Sequence, residues 1–283
     1  MINNDSLMIK TNGHIKRILA KDLPTEDIFA VWNGVRWMPV VLGKIKKLAI
    51  KEITLENGLT FTATEEDNYN IGDEIYINKC DAGQDTRFSS QVPTLGLCIG
   101  AFLNNGKFSN GHTIYNIPDD KTRNLIKDFW EMCGSETSTE GNELIVKAKT
   151  SQNIIQRYID LTNEEITLTN GAFDTSGKFK LGFIKGIIEP NNSDDWGRIL
   201  RTNTILDDYI ISIIANLGLN IEVNAADIYY RGNNLVKDTH PLYHTSKIKS
   251  ISELSKTKKN IYTLMASSDN FYYMLDNGIL IKQ

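Results

Sequence analysis

Cysteine is scarce in this 283-residue sequence: Cys80, Cys98 and Cys133 are scattered, and no two stand in CxxC spacing. That leaves no basis for a disulfide framework and fits isolated thiols in a reducing compartment. Histidine is scarce too. His14, His112, His240 and His244 lack metal-ligand spacing except for the i,i+4 pair His240/His244. Pro241 between them argues against the helix such a pair needs, so zinc is not expected. No apolar run approaches the roughly 20 residues that cross a bilayer. The N-terminus shows no basic segment followed by an apolar core, so no signal peptide and a cytoplasmic location are expected. An excess of positive charge is also missing, the formal net charge being −4. Nucleic-acid binders usually show a basic footprint, although a local basic face is compatible with an acidic whole.

What is present is 41% hydrophobic and 23% charged residues, enough for a globular chain of one to three domains with real cores. Residues 1 to about 79 read as β. Runs such as Ile28–Trp32 and Trp37–Leu42 are punctuated by Asn33-Gly34 and Gly43. Glu56-Asn57-Gly58 between two alternating runs is a hairpin signal, and Gly72-Asp73 precedes Glu74–Ile77. Residues 80–92, CDAGQDTRFSSQV, read as a polar linker.

After Pro93 helices mix with strands. Leu95–Leu103 is a dense apolar run holding Gly96, Gly100 and Ala101. Lys121–Met132 has helical apolar spacing, and Asp119-Asp120 before it suits a helix N-terminus. Ser151–Leu161 is expected to be another helix. A second dense run, Leu181–Ile188, carries Gly182 and Gly186, and Gly186 lies 86 residues after Gly100. Pro190-Asn191-Asn192 then forms a turn, and a helix over Ile205–Leu217 is ended by Gly218. The middle therefore repeats itself weakly, which suggests a pseudo-symmetric, two-lobed domain. From about Tyr243 the β pattern returns in Ile261–Met265, Asn270–Leu275 and Ile279–Ile281, with a turn at Asp276-Asn277-Gly278. Some 40 C-terminal residues could bury little alone, so the economical reading is a β domain split by an insertion.

Several motifs in that layout resemble inteins. Asp5–Gly13 is similar to the first intein block, and Glu56–Asp67 to the second, which normally ends T-x-x-H. The tail Asp276–Gln283, DNGILIKQ, resembles the usual N-G-I-L-V-H-N ending. In the middle, Cys98–Gly106 and Ile184–Asn192 resemble paired LAGLIDADG motifs, and Arg198–Leu219 also looks like that family. The resemblance implies an α+β chain. A horseshoe-like all-β Hint domain would come from residues 1–92 and 239–283. A pseudo-two-fold LAGLIDADG homing-endonuclease domain would occupy 93–238.

The resemblance also says what the chemistry would need. In LAGLIDADG endonucleases each motif helix ends on an acid that holds divalent metal between scissile phosphates. The matching positions here are Asn105 and Asn191, whose amides are neutral. Mg2+ affinity and cleavage are expected to fall steeply, with Glu189 and Asp194 as weak substitutes. The plain alternative is that both asparagines only make turns. Lys107, Lys178, Lys180, Arg198 and Arg201 are the expected phosphate contacts, though each fits an ordinary solvated charge equally well. Protein splicing needs a nucleophile at residue 1, the T-x-x-H histidine, a penultimate His and a terminal Asn. The chain offers Met1, Thr64 with Asp67, Lys282 and Gln283. Met is no nucleophile. Asp67 is no imidazole, and Gln283 cyclises more slowly than Asn.

The expectation is an intein-derived protein that binds double-stranded DNA and is impaired in splicing and cleavage. Its alternatives are an active Mg2+-dependent homing endonuclease, an atypical self-splicing intein, and a scaffold reused as a regulatory or assembly protein with a protein partner. Abundant Asn, Ile and Lys suggest an AT-rich genome such as a phage's, and a mobile genetic element as the origin.

Overall fold

The computed structural model describes residues 6–12, 14–34, 36–79, 92–163, 165–173, 175–187, 196–201, 205–231, 243–267, 271–275, 277 and 279–282. The chain divides into two compact units. Met1–Lys79 and Asp207–Gln283 make the first, and Cys80–Leu206 the second. The returning segment thus begins at Asp207, inside a helix that sequence reading assigned to the insertion.

The N-terminal segment is a run of strands: β1 (Ser6–Thr11), β2 (His14–Leu19), β3 (Phe29–Trp32), β4 (Trp37–Leu48), β5 (Ile50–Leu55), β6 (Thr60–Thr64) and β7 (Glu74–Asn78). The glycine signals do what their spacing implies. Gly34 and Gly58 both take positive φ, at 92° and 89°, where a side chain would be strained. Gly58 turns the chain between β5 and β6, paired from Ile50↔Thr64 to Thr54↔Thr60.

The second unit holds α1 (Val92–Asn105), β8 (Gly106–Ser109), β9 (His112–Asn116), α2 (Asp120–Met132), β10 (Glu136–Glu140), β11 (Glu143–Lys147), α3 (Lys149–Ile155), β12 (Ile159–Asn163), β13 (Glu165–Leu168), α4 (Asn170–Phe173), α5 (Gly177–Ile187) and β14 (Trp196–Leu200). The helix expected over Ser151–Leu161 stops at Ile155. The chain turns at Tyr158 and becomes β12, because Ile159 and Leu168 pair across a hairpin with β13 and both are buried. Asp119 caps α2, its carboxylate accepting from Thr122 N at 2.7 Å. Gly134 closes α2 with φ +81, and Ser135 N donates to Trp130 O, the Schellman arrangement.

The returning segment comprises α6 (Ile205–Asn216), β15 (Asn220–Val223), β16 (Asp227–Arg231), β17 (Tyr243–Ile251), β18 (Lys259–Met265), β19 (Tyr272–Met274) and β20 (Ile279–Lys282). Gly218 ends α6 in the same way as Gly134 ends α2: Leu219 N donates to Ile214 O and Gly218 N to Ala215 O.

In the first unit, strands from the two chain ends interleave. One antiparallel sheet has the order β18-β4-β3-β1-β2, another β19-β20-β7-β17-β5-β6. β18 pairs with β4 and β17 with both β5 and β7, so neither chain end completes a sheet alone. Leu7, Ile9, Val31, Ile53, Ile77, Ile261, Tyr273 and Ile279 are buried, and they come from both segments. The C-terminus of α6 is fastened to this unit by Asn216 Nδ2, which donates to Asn78 O, and by the His244 ring lying against Gly218.

In the second unit, α1 and α5 lie side by side in the same direction. Glycines of each helix face the backbone of the other. A Cβ on Gly96 would come within 2.0 Å of Phe179 O, and one on Gly100 within 2.1 Å of Phe183 O. Reciprocally, a Cβ on Gly182 would lie 1.8 Å from Pro93 O, and one on Gly186 2.4 Å from Leu97 O. The helices touch main chain to main chain. Against this pair packs a four-stranded sheet, β10-β11-β9-β8, with Tyr115, Leu144 and Val146 inward. Buried Trp130 of α2 donates to Tyr115 Oη at 3.1 Å. Cys98, in α1, is buried, whereas Cys133 is exposed.

Gly100→Ala should therefore destabilise the second unit by about 2–3 kcal/mol, since its methyl meets backbone that cannot rotate away. Urea unfolding of the full chain, followed by tryptophan fluorescence, measures this. A drop under about 0.5 kcal/mol would show that the helices can separate cheaply.

Candidate functional site

α1 ends at Asn104-Asn105, and β8 begins at the next residue. Because α1 and α5 run in parallel, their C-terminal ends point the same way. Asn105 is exposed there. It borders a pocket of about 520 Å³ whose polar lining is Asn104, Asn105, Asn116, Asp119, Thr122 and Lys185. Ala101, Ile117, Pro118 and Gly186 supply its apolar wall. The polar set is three neutral amides, one hydroxyl, one carboxylate and one ammonium. The carboxylate is engaged: the side-chain and backbone hydrogen bonds from Thr122, then Lys121, hold Asp119 below the usual carboxylate range. Such a set suits hydrogen bonding to a polar ligand. It does not suit Mg2+, which wants several anionic oxygens, and Lys185 would repel a cation. Among the described residues no three His, Cys, Asp or Glu side chains group so as to hold a metal. Glu189, Asn191 and Asp194 lie outside the described residues, as does Gln283.

The expected phosphate contacts do not gather at this pocket. Lys178 is exposed and Lys180 half-buried at the N-terminal end of α5. At 1.5 Å per residue, Lys178 is about 12 Å along the axis from Gly186 at the pocket. Arg198 is exposed on β14 and Arg201 follows it. Lys107, on β8, is exposed and lies 3.4 Å from the Glu143 carboxylate. Sequence reading missed Lys185; its position next to Gly186 was the available signal.

Strand register fixes the outward face of the four-stranded sheet. Thr113, Tyr115, Leu144 and Val146 are buried on one side, so their neighbours in sequence point the other way. That outward face carries Lys107 and Lys147 against Glu136, Glu140 and Glu143, with Glu136 opposite Lys147 and Glu140 opposite Glu143. It is not a basic surface.

Thr64, Asp67 and Lys282 belong to the first unit. Thr64, buried on β6, donates from both its N and its Oγ1 to Asp67 Oδ2, each at 2.7 Å. Asp67 thus closes the turn after β6 as an acceptor. Lys282 is exposed on β20, paired with Tyr272 on β19. The two regions are neighbours. Asn277 Nδ2 donates to Thr60 O of β6, and Tyr69 feels the charges of both Asp67 and Tyr272. Leu7 of β1 bridges Leu275 in the same hairpin region. The segments around Leu7, Thr64–Asp67 and Leu275–Asn277 therefore converge.

No protein-family model matches this chain, and no curated protein sequence matches it.

Burial pushes the Tyr69 hydroxyl up to about 12, helped by the negative charge of Asp67 and by Tyr272. Its ring meets Phe61 edge-on at 5.5 Å. Since the folded pKa is raised, the contribution of Tyr69 to stability is complete below pH 10. It is lost as pH rises through about 12. In absorbance titration at 295 nm, the difference between wild type and Tyr69→Phe should be one tyrosine ionising near 12. A midpoint at 10 would contradict this packing.

Proposed function

We propose that the chain is an intein-derived protein: a Hint-like unit split by a LAGLIDADG-like insertion, which binds double-stranded DNA without cutting it. The observation that carries this reading is the α1/α5 pair. Two parallel helices meet through four glycines against backbone, in a unit inserted between two segments that share sheets. The spacing of 86 residues between Gly100 and Gly186 and the partial repetition of element order support it. After α1 come two strands, a helix and two strands; α5 is followed among the described residues by a strand of the same unit, then by a helix that crosses into the first unit and two strands that belong to it. The convergence of Leu7, Thr64–Asp67 and the C-terminal hairpin supports the Hint-like half.

Loss of cleavage follows from chemistry at the α1 end. An amide at Asn105 brings no charge to a metal, and Lys185 beside it opposes one. Loss of splicing follows likewise. Asp67 is occupied as a turn acceptor and offers no imidazole.

The test uses purified full-length protein and duplex DNA covering the junctions of its own gene. Fluorescence anisotropy at 50 mM salt should show binding that weakens steeply as salt rises. The same DNA, supercoiled and incubated with Mg2+ or Mn2+, should stay uncut. Cleavage that Glu189→Gln or Asp194→Asn abolishes would replace this reading with the active endonuclease. Absence of binding to any duplex would remove the DNA function.

A further inference from the structure

The net charge of −4 conceals a strong local imbalance. Residues 43–51 and 247–259 together hold nine lysines and one carboxylate, Glu253. About 200 residues separate the two segments in sequence. In the first unit they come together, because β18 pairs with the C-terminal half of β4 from Met265↔Val41 to Lys259↔Leu48. The loop that enters β18 is held alongside β5, with Ser255 N donating to Ile50 O and Ser252 N to Glu52 O. The result is a two-stranded ribbon with its entering loop, on which Lys44, Lys46, Lys47, Lys256, Lys258 and Lys259 are all exposed.

Internal contacts fix the shape of the ribbon. Thr263 Oγ1 donates to Lys44 O at 2.7 Å, and the register shifts between Tyr262 and Leu264, a bulge that adds local twist. Gly43 is what allows it, since a Cβ there would lie 2.6 Å from Thr263 Oγ1. Two acids brace the base: Lys46 meets Glu66 at 2.8 Å and Lys258 meets Glu65 at 3.7 Å. Lys44, Lys47, Lys256 and Lys259 have no ion pair among the described residues. Like charges held this close repel one another, so the arrangement costs stability unless an anion covers it.

We propose that the β4–β18 ribbon is a contact surface for the phosphates of duplex DNA. This rests on the DNA-binding reading above and moves the main contacts from the inserted unit to the split β unit. A duplex carries one phosphate charge per about 1.7 Å of axis, a denser and more regular partner than an acidic peptide. The major groove admits a two-stranded ribbon of this width. Ile45, 54% exposed on the same ribbon face as Lys47, supplies the apolar contact that thymine methyls accept. The outward face of the inserted unit's sheet, with two lysines against three glutamates, has no such complementarity.

The experiment compares three proteins by anisotropy on a 30-base-pair duplex across a salt series. They are the wild type, a ribbon variant (Lys44→Gln/Lys47→Gln/Lys256→Gln/Lys259→Gln) and a control of equal charge (Lys21→Gln/Lys121→Gln/Lys127→Gln/Lys149→Gln). Circular dichroism establishes that all are folded. The ribbon variant should bind at least about tenfold more weakly at 50 mM salt. Its log–log salt slope should be shallower by about 0.9 for each phosphate that a lysine no longer neutralises, while the control matches wild type. If wild type binds and the two variants behave alike, the ribbon is overturned and DNA binding stands. If wild type binds no duplex, both fall. If poly-glutamate of equal charge competes as well as DNA, or an RNA duplex is preferred, the assignment to duplex DNA is overturned.

Discussion

Backbone contact between α1 and α5 is the constraint on which the second unit depends. Four glycines remove the side chains that would otherwise hold two helices about 8–10 Å apart. Once the helices touch, their ends are fixed relative to each other, and so is whatever follows them. β8 leaves α1 without a loop, so the four-stranded sheet inherits its place from the helix pair. The buried chain Trp130–Tyr115 then ties α2 to that sheet. The pocket bordered by Asn104, Asn105 and Lys185 follows from helix packing and needs no separate device.

The first unit depends on a different device, the exchange of strands between chain ends. β17 sits between β7 and β5, and β18 extends β4. Neither segment completes its sheets without the other, and the insertion leaves and re-enters between them. Strand exchange of this kind builds a surface from residues about 200 positions apart. The lysine ribbon is one such surface. The turn at Asp67 with the β19–β20 hairpin is another.

Much of this was legible in the sequence where local chemistry decides it. Asn57-Gly58, Gly218 and Asp119 mark a turn, a helix end and a cap because positive φ and an exposed N–H group each demand particular residue types. The two glycine-bearing apolar runs were visible as a repeat, and their packing is of the kind that such spacing permits. The helix expected over Ser151–Leu161 was too long, because Ile159 and Leu168 gain more by pairing across a hairpin than α3 gains by continuing. The division at Asp207 could not be read from local pattern, since it is set by contacts between segments distant in sequence. The ribbon was invisible for a plainer reason. Its lysines are split between distant segments, and the whole-chain charge of −4 averages them away. The one local signal for Lys185 is its place beside the packing glycine Gly186.

On the proposed reading, a scaffold for metal-assisted chemistry persists without the charge that would draw the metal. Calorimetric titration of the full-length protein with Mg2+, beside Asn105→Asp/Asn191→Asp, tests this most directly. Wild type should show no saturable binding in the millimolar range, and the double variant should gain a site. Tight Mg2+ binding by the wild type, or a double variant no better than it, would contradict the reading.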